Sequence, residues 1–528
     1  MFRKFIYIII FIASSDLLVA QLPVIKYGKY IGAFDIQVEN NFVKENNFIS
    51  RKPNLSLPPK FADVKNQLPQ PFWNNNPEAI KAYWKAWELA FAHLEAATEK
   101  NRYISPYIDP HFNGCIFLWD NSFMTMFGKY GEKAFHFQGS LDNFYKNQDR
   151  DGYICRQIIN ETGNPSFEKN NLVSTGPNVF PWAEWEYYLT FRDKKRLSEV
   201  FPVLVAYHDW TKKNRSWQDG TYFSSGWGSG MDNQARLEPG YNVEFEHGFM
   251  SWVDVTMQEI FSGKTLLKMA KELKREDDVI PIKNEVEYLE KLVNEKMWDE
   301  ESSYYFDKQK NGNLTKVLGI GSYWALLADV VPQNKLQKFV NHLSNPNEFA
   351  RTIRVPSLSA SDKKFKPNGD YWNGSVWAPT SYMVLRGLSN CKQDSLAYEI
   401  GKNYHDGVVK VFSKTNTFFE NYAPDYIQGN DRKDFVGWTG LVPINIMFEY
   451  VMGIRPNNPE NTIILDVRLL DEYGVKNYPF GVNGMLDITV KKRNKTSDKP
   501  KVIIKSNIDV KVILKWQNGE EILNIKKK

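Results

Sequence analysis

Cysteine is scarce in this chain: Cys115, Cys155 and Cys391 are the only three in 528 residues. An odd count excludes complete intramolecular pairing, and no Cys-x-x-Cys or Cys/His cluster at zinc spacing occurs. The three read as buried apolar thiols. Histidine is also rare, at seven. No His-Glu-x-x-His, Gly-x-Ser-x-Gly, phosphate loop or EF-hand loop is present, which argues against zinc-protease, serine-hydrolase and nucleotide chemistry. No metal or cofactor is expected, although a calcium ion in an irregular loop stays open. Charge of one sign is lacking too. With 67 basic and 62 acidic residues the net is +5, and the only basic concentration is the terminal Lys526-Lys527-Lys528. A nucleic-acid partner would call for a basic face. Beyond the N-terminus no run of ~18 apolar residues appears, so no membrane span is expected.

Aromatic residues, by contrast, are abundant at 15%, including 16 Trp and 27 Tyr, more than core packing alone calls for. Met1 to Lys4 is positively charged, Phe5 to Ala13 is apolar, and Leu18-Val19-Ala20 resembles a cleavage site. Residues 1–20 therefore read as a signal peptide. With so few cysteines, export to a bacterial periplasm or cell surface is expected.

Residues 21–75 are rich in Asn, Pro and Lys and read as an irregular arm with one or two short strands. From Pro77 the pattern turns helical, with Ala79, Ile80, Tyr83, Trp84, Trp87, Phe91 and Leu94 recurring at spacings of three and four. Further helices are expected at 120–130, 133–147, 181–192, 195–213, 248–273, 282–297, 319–330, 333–344, 375–388, 393–412 and 438–452. Residues 76–457 thus form a helical domain whose pairs suggest the hairpins of a closed toroid. Short alternating runs follow at 462–467, 485–491, 501–505 and 510–515, and predict a small antiparallel β module over 458–528.

Two loops concentrate chemistry. Gly226-Trp227-Gly228-Ser229-Gly230-Met231-Asp232-Asn233 places a carboxylate among glycines, an indole and an amide. Phe419-Glu420-Asn421-Tyr422 places a second one among aromatics. Glycines let a backbone approach a ligand closely, an indole offers a flat face to a sugar ring, and paired carboxylates are what glycoside hydrolysis requires. Trp119-Asp120-Asn121, Pro181-Trp182-Ala183-Glu184, Asp370-Tyr371-Trp372-Asn373-Gly374-Ser375-Val376-Trp377 and Gly437-Trp438-Thr439-Gly440 add aromatic and polar candidates.

In this order the motifs resemble the six-hairpin (α/α) glycosidases of glycoside hydrolase family 63 and the related mannosylglycerate-hydrolase-like and trehalase groups. The likeness spans roughly residues 77–455 and implies a mainly α fold, an (α/α)6 toroid, with the β module behind it. It also implies inverting hydrolysis of α-linked sugars, glucose being the first choice, in an oligosaccharide or small glycoside. The general acid of those families falls on Asp232 and the general base on Glu420. Sugar contacts fall on Trp119, Asp120, Trp372, Asn373, Trp377 and Trp438. Trp182, Glu184, Trp227, Asn233, Arg236, Asp370 and Tyr422 are further candidates. Among them Trp227 is expected to raise the Asp232 pKa, and Arg236 and Tyr422, with the neighbouring Asn421, to keep Glu420 ionised. Glu184 and Asp120 could equally be charges at a helix start, and Asp370 a turn residue. Where the families often read Tyr-Trp-Arg-Gly-Pro, this chain has Tyr371-Trp372-Asn373-Gly374-Ser375, so a charged sugar contact becomes neutral. A polysaccharide lyase on the same scaffold, a non-catalytic glycan binder and a phosphorylase are the alternative readings.

Overall fold

The computed structural model describes residues 39–528 and, as backbone, the antiparallel hairpin Val24–Tyr27 with Tyr30–Ala33. The expected signal peptide, residues 1–20, lies outside the described residues. The helices alternate between an outer and an inner layer. The outer ones are α1 (Pro77–Ala92), α3 (Gly139–Lys146), α5 (Lys194–Arg215), α7 (Ile280–Lys296), α9 (Gln333–Asn341) and α11 (Asp394–Thr415). The inner ones are α2 (Leu118–Gly128), α4 (Phe180–Phe191), α6 (Val253–Leu273), α8 (Trp324–Leu327, after a 3-10 turn), α10 (Ala378–Asn390) and α12 (Trp438–Val451, a 3-10 turn running into a π-helix). Each inner helix packs on the next, and α12 packs back on α2, which closes the ring. The chain is an (α/α)6 toroid.

Burial explains why the two layers look different in sequence. In α1 the buried positions Ala79, Ala82, Tyr83, Ala86, Trp87 and Ala90 form one stripe, as expected for a helix with one wet face. In α2 and α12 every residue is buried. An inner helix touches neighbours all round, so its amphipathic signal fades. Several starts shift for local reasons. Helix α6 begins at Val253 rather than 248, because Trp252 is extended and its Nε1 donates to the His247 carbonyl (3.1 Å). Helix α10 begins at Ala378, because Trp377 is extended and Pro379 suits a first turn.

The β module holds two four-stranded sheets. One runs Ile454–Asn457, Thr462–Asp466, Val510–Trp516, Gly519–Ile525, and its central pair, Thr462–Asp466 with Val510–Trp516, is parallel rather than antiparallel as expected. The other runs Val502–Ser506, Met485–Val490, Tyr473–Pro479, Gln70–Trp73. Its last strand is one of the short strands expected in the arm. Pro71 sits at the edge of the sheet, where its missing N–H is tolerated. Trp73 Nε1 donates to Asp471 Oδ2 (2.8 Å), fixing arm to module. The module also begins before residue 458, at Ile454. Among the described residues no helix is long and apolar enough to cross a membrane.

Candidate active site

The segments entering the inner helices gather at one end of the toroid and enclose a cavity of about 250 Å³. Helix α2 contributes Trp119 and Asp120 in its first turn. The segment before α4 contributes Gly176 and Pro177, the loop before α10 Tyr371 and Trp372, and α12 Trp438. Glu420 comes from the strand Phe419–Tyr422, whose hairpin partner Gly429–Lys433 supplies Arg432. Trp227 and Asp232 come from the glycine-rich loop.

That loop is built to bring backbone close to backbone. Ser225 caps the one-turn helix Gly226–Ser229 by accepting from Gly228 N. A Cβ on Gly226 would fall 2.0 Å from the Asp232 carbonyl oxygen. Gly230 has φ +76 and lies against the Trp119 indole, where a Cβ would meet ring carbon at 3.3 Å. Asn233 then ties this loop to the one before α10. Its Oδ1 accepts from Trp372 N (2.8 Å) and its Nδ2 donates to the Asp370 carbonyl (3.3 Å). Between those two bonds lies Tyr371, held at φ +55. Asn373 Oδ1 adds a third stitch by accepting from Ala235 N (3.1 Å). Asn373 thus serves to join two loops.

Tyr371 Oη donates to Glu420 Oε1 (3.2 Å), and Asp232 lies within reach of the same hydroxyl. Arg432 Nε lies 3.5 Å from Glu420 Oε2. Trp438 Nε1 donates to the Glu420 carbonyl (2.8 Å), which fixes the strand. Burial pushes the Asp232 carboxyl up to about 6, the Glu244 charge adding to it while Arg156 opposes it. Burial, with Asp431 beside it, pushes Glu420 up to about 7. This order differs from the sequence expectation of an ionised Glu420. The reason lies in the expected donors. Arg236 is committed to Asp254 and Asp307, with bonds of 2.6–2.9 Å. The Tyr422 hydroxyl accepts from Phe419 N inside the core (3.3 Å). Asn421 Nδ2 donates to Asp431 (2.6 Å) rather than to Glu420. Asp120 is buried and raised well above the usual carboxylate range, by that burial first and then by Glu420. Its Oδ1 and the Trp119 Nε1 are buried without a hydrogen-bond partner.

Several other candidates lie elsewhere. Trp182 stacks on Tyr382 (5.6 Å, 9°) and donates to Glu186, inside the helix layer. Glu184 is held by Arg196 and Tyr145 (2.7–2.8 Å). Trp377 is fully buried behind Trp372, stacked at 4.1 Å and 2°. Asn233 and Asp370 line a second, more open chamber of about 660 Å³. Trp227, Asp232 and Tyr371 line both chambers; Glu420 and Asp120 line only the first. Sequence reasoning missed Arg156, Tyr371, Glu244, Phe112 and Arg432. Tyr371 adjoins the singled-out Asp370 and Trp372 and could have been found, whereas Arg156, Glu244 and Arg432 sit in segments without a motif. Among the described residues no group of three or more His, Cys, Asp or Glu side chains could hold a metal ion.

Residues 81–439 match the family model described as "Mannosylglycerate hydrolase MGH1-like glycoside hydrolase domain". An uncharacterized protein of Borreliella burgdorferi is 22% identical over 365 residues, covering 67% of this chain and 75% of that protein. The mannosyl-oligosaccharide glucosidase of Saccharomyces cerevisiae is 23% identical over 297 residues; the match covers 47% of this chain and about a third (35%) of that longer relative. Among solved structures, the mannosylglycerate hydrolase of Thermus thermophilus, in complex with glucose, shares 19% identity at a TM-score of 0.56, covering 68% of this chain and 98% of that one. The family match takes in the whole inner ring up to the first turn of α12, and with it the chain belongs to the MGH1-like glycoside hydrolases and is a glycosidase.

Proposed function

We propose that the chain is an inverting α-glycosidase, glucosidase-like, in which Asp232 is the general acid and Glu420 the general base. The observation that carries this is the position of the two carboxyls. Asp232 stands where the two chambers meet, and Glu420 stands only in the inner one. An inverting enzyme needs its acid at the bond between the sugar and the leaving group, and its base on the far face of the sugar beside a water. An inner cavity of about 250 Å³ suits one pyranose ring. Trp119, Trp372 and Trp438 supply its apolar walls. The unpartnered Asp120 Oδ1 and Trp119 Nε1 supply an acceptor and a donor for its hydroxyls; buried polar atoms left without partners are costly unless something satisfies them.

The glucosidases and the mannosylglycerate hydrolase among the relatives support a hexose in this pocket. A release assay over α-glucosides, α-mannosides and oligosaccharides tests the reading. Liberation of one monosaccharide from the non-reducing end is expected. An unsaturated product absorbing in the near ultraviolet would replace hydrolysis with elimination, and turnover only with phosphate would replace it with phosphorolysis.

A further inference from the structure

The outer chamber has a chemistry distinct from the inner one. Its walls carry the carboxylates Glu244, Asp370 and Asp431 and the amides Asn233, Asn368 and Asn430. Among the described residues no lysine or arginine lines it; the arginines of the site, Arg156 and Arg432, line the inner cavity. None of the three carboxylates takes part in an ion pair among the described residues. One side of the chamber is aromatic. Trp227 lines it, and Phe245 lies 4.8 Å from that indole between ring centroids while remaining 45% exposed.

On the reading of Asp232 as the acid, we propose that this chamber is the leaving-group subsite and that it takes an uncharged sugar while rejecting one that carries a carboxylate. The first part follows from the shared wall. The glycosidic oxygen must lie against Asp232, and the inner cavity on Glu420's side holds the ring being released. The group on the other side of the oxygen therefore enters the chamber that shares Asp232, Trp227 and Tyr371. The second part follows from charge. A neutral polyol donates hydroxyls to carboxylates and exchanges hydrogen bonds with amides, while its C–H face covers an indole. An anion meets three like charges with no cation on the wall, and like-charge juxtaposition disfavours the wrong partner. The volume agrees, since about 660 Å³ is room for one or two sugar units rather than a small acid.

The test compares three disaccharides that share an α-glucosyl unit and differ only at C6 of the leaving sugar: hydroxymethyl, carboxylate and aminomethyl. For the wild-type enzyme kcat/KM should be about ten- to a hundredfold lower for the carboxylate than for the hydroxymethyl compound, which at tenfold is ~1.4 kcal/mol. The ammonium compound should do at least as well as the neutral one. Salt at about 0.5 M should narrow the gap, because exposed charges are screened. Asp370→Asn should narrow it too, by about threefold. Equal rates, preference for the carboxylate, or a gap unmoved by both salt and Asp370→Asn would overturn the assignment. If none of the three is hydrolysed, the glucosidase reading fails separately. The trio is then ranked by titration calorimetry on the wild-type protein. Weakest binding of the carboxylate, with the same salt dependence, sustains the subsite; equal binding, or none, overturns it.

Discussion

Two carboxylates buried in the wall of the toroid, Glu186 and Glu285, and two buried at its mouth, Asp232 and Glu420, differ in how far the cations beside them offset burial. Glu186 is buried, and burial alone would raise its pKa. Arg386 (2.6 Å) and Lys129 (3.1 Å) hold it instead at about 2. Glu285 is likewise held at about 2 against burial, by His208 and Lys212. At the mouth, Asp232 and Glu420 have Arg156 and a half-exposed Arg432 nearby, and burial wins: they rise to about 6 and about 7. Where flanking cations outweigh burial, as at Glu186 and Glu285, the carboxylate stays ionised; where burial outweighs them, as at Asp232 and Glu420, it holds its proton into the neutral range.

The largest expected effect separates the roles within the mouth. Asp232→Asn keeps shape and removes a proton donor, so turnover of an unactivated glycoside should fall about 10²–10⁴-fold. A glycosyl fluoride, whose leaving group needs little protonation, should be spared. Glu420→Gln should slow both substrates. Equal losses on both for Asp232→Asn would pass the acid role to Asp120.

Breaking a wall pair should cost stability rather than chemistry. Arg236→Ala leaves Asp254 and Asp307 buried side by side without their cation. A loss of about 3–5 kcal/mol in denaturant unfolding is expected, with the pH profile of kcat/KM for the folded protein unmoved. A shifted profile at unchanged stability would place Arg236 in the catalytic machinery after all.

Tyr371 joins the carboxyls at the mouth. Activity needs one of the pair protonated and the other ionised, so kcat/KM should peak between about pH 6 and about 7 and fall on either side. The Tyr371 hydroxyl favours the ionised form of both. Tyr371→Phe should move both limbs to higher pH and reduce the peak roughly tenfold, the worth of a hydrogen bond to a charged group. Limbs that stay in place would reduce Tyr371 to a wall residue.

The smallest effect concerns stability against pH. Asp232 and Glu420 bind protons more tightly folded than unfolded. The stability they contribute is fully present below the ordinary carboxylate range and is lost as pH rises through about 6 and 7. Asp232→Asn and Glu420→Gln should therefore melt higher than wild type at about pH 8, by at most about 1–3 kcal/mol, and match it at about pH 4. Glu186 has the opposite sign, its contribution being lost only as pH falls through about 2.

The sequence carried the ring and its contents unequally. The outer helix Pro77–Ala92 was plain from its apolar stripe, because one face is wet. A short strand in the arm was expected, but neither its place at Gln70–Trp73 nor its pairing was, because its partner Tyr473–Pro479 lies some four hundred residues away and Pro71 reads as a breaker. Asp232 and Glu420 stood out because glycines and aromatics cluster around them, and the fold brings both to one cavity. Trp182 and Glu184 looked alike on paper. They sit inside the first turns of α4, beyond the loop, and face Tyr382 and Arg196 rather than the cavity. Which way a helical side chain points depends on neighbours that no local pattern names. The same holds for Arg236, four residues from Asp232 yet bound to Asp254 and Asp307. Arg156 and Glu244 set the charge around Asp232 from segments with no pattern of their own.

The central claim is that Asp232 and Glu420 work across one sugar by a single displacement, with water delivered from Glu420's side. Proton NMR of the first product from an α-glycoside tests it most directly, before mutarotation mixes the anomers. The account predicts that the β-anomer appears first and the α-anomer grows in afterwards. Initial release of the α-anomer would mean a covalent intermediate and would contradict the assignment of Glu420 as a base.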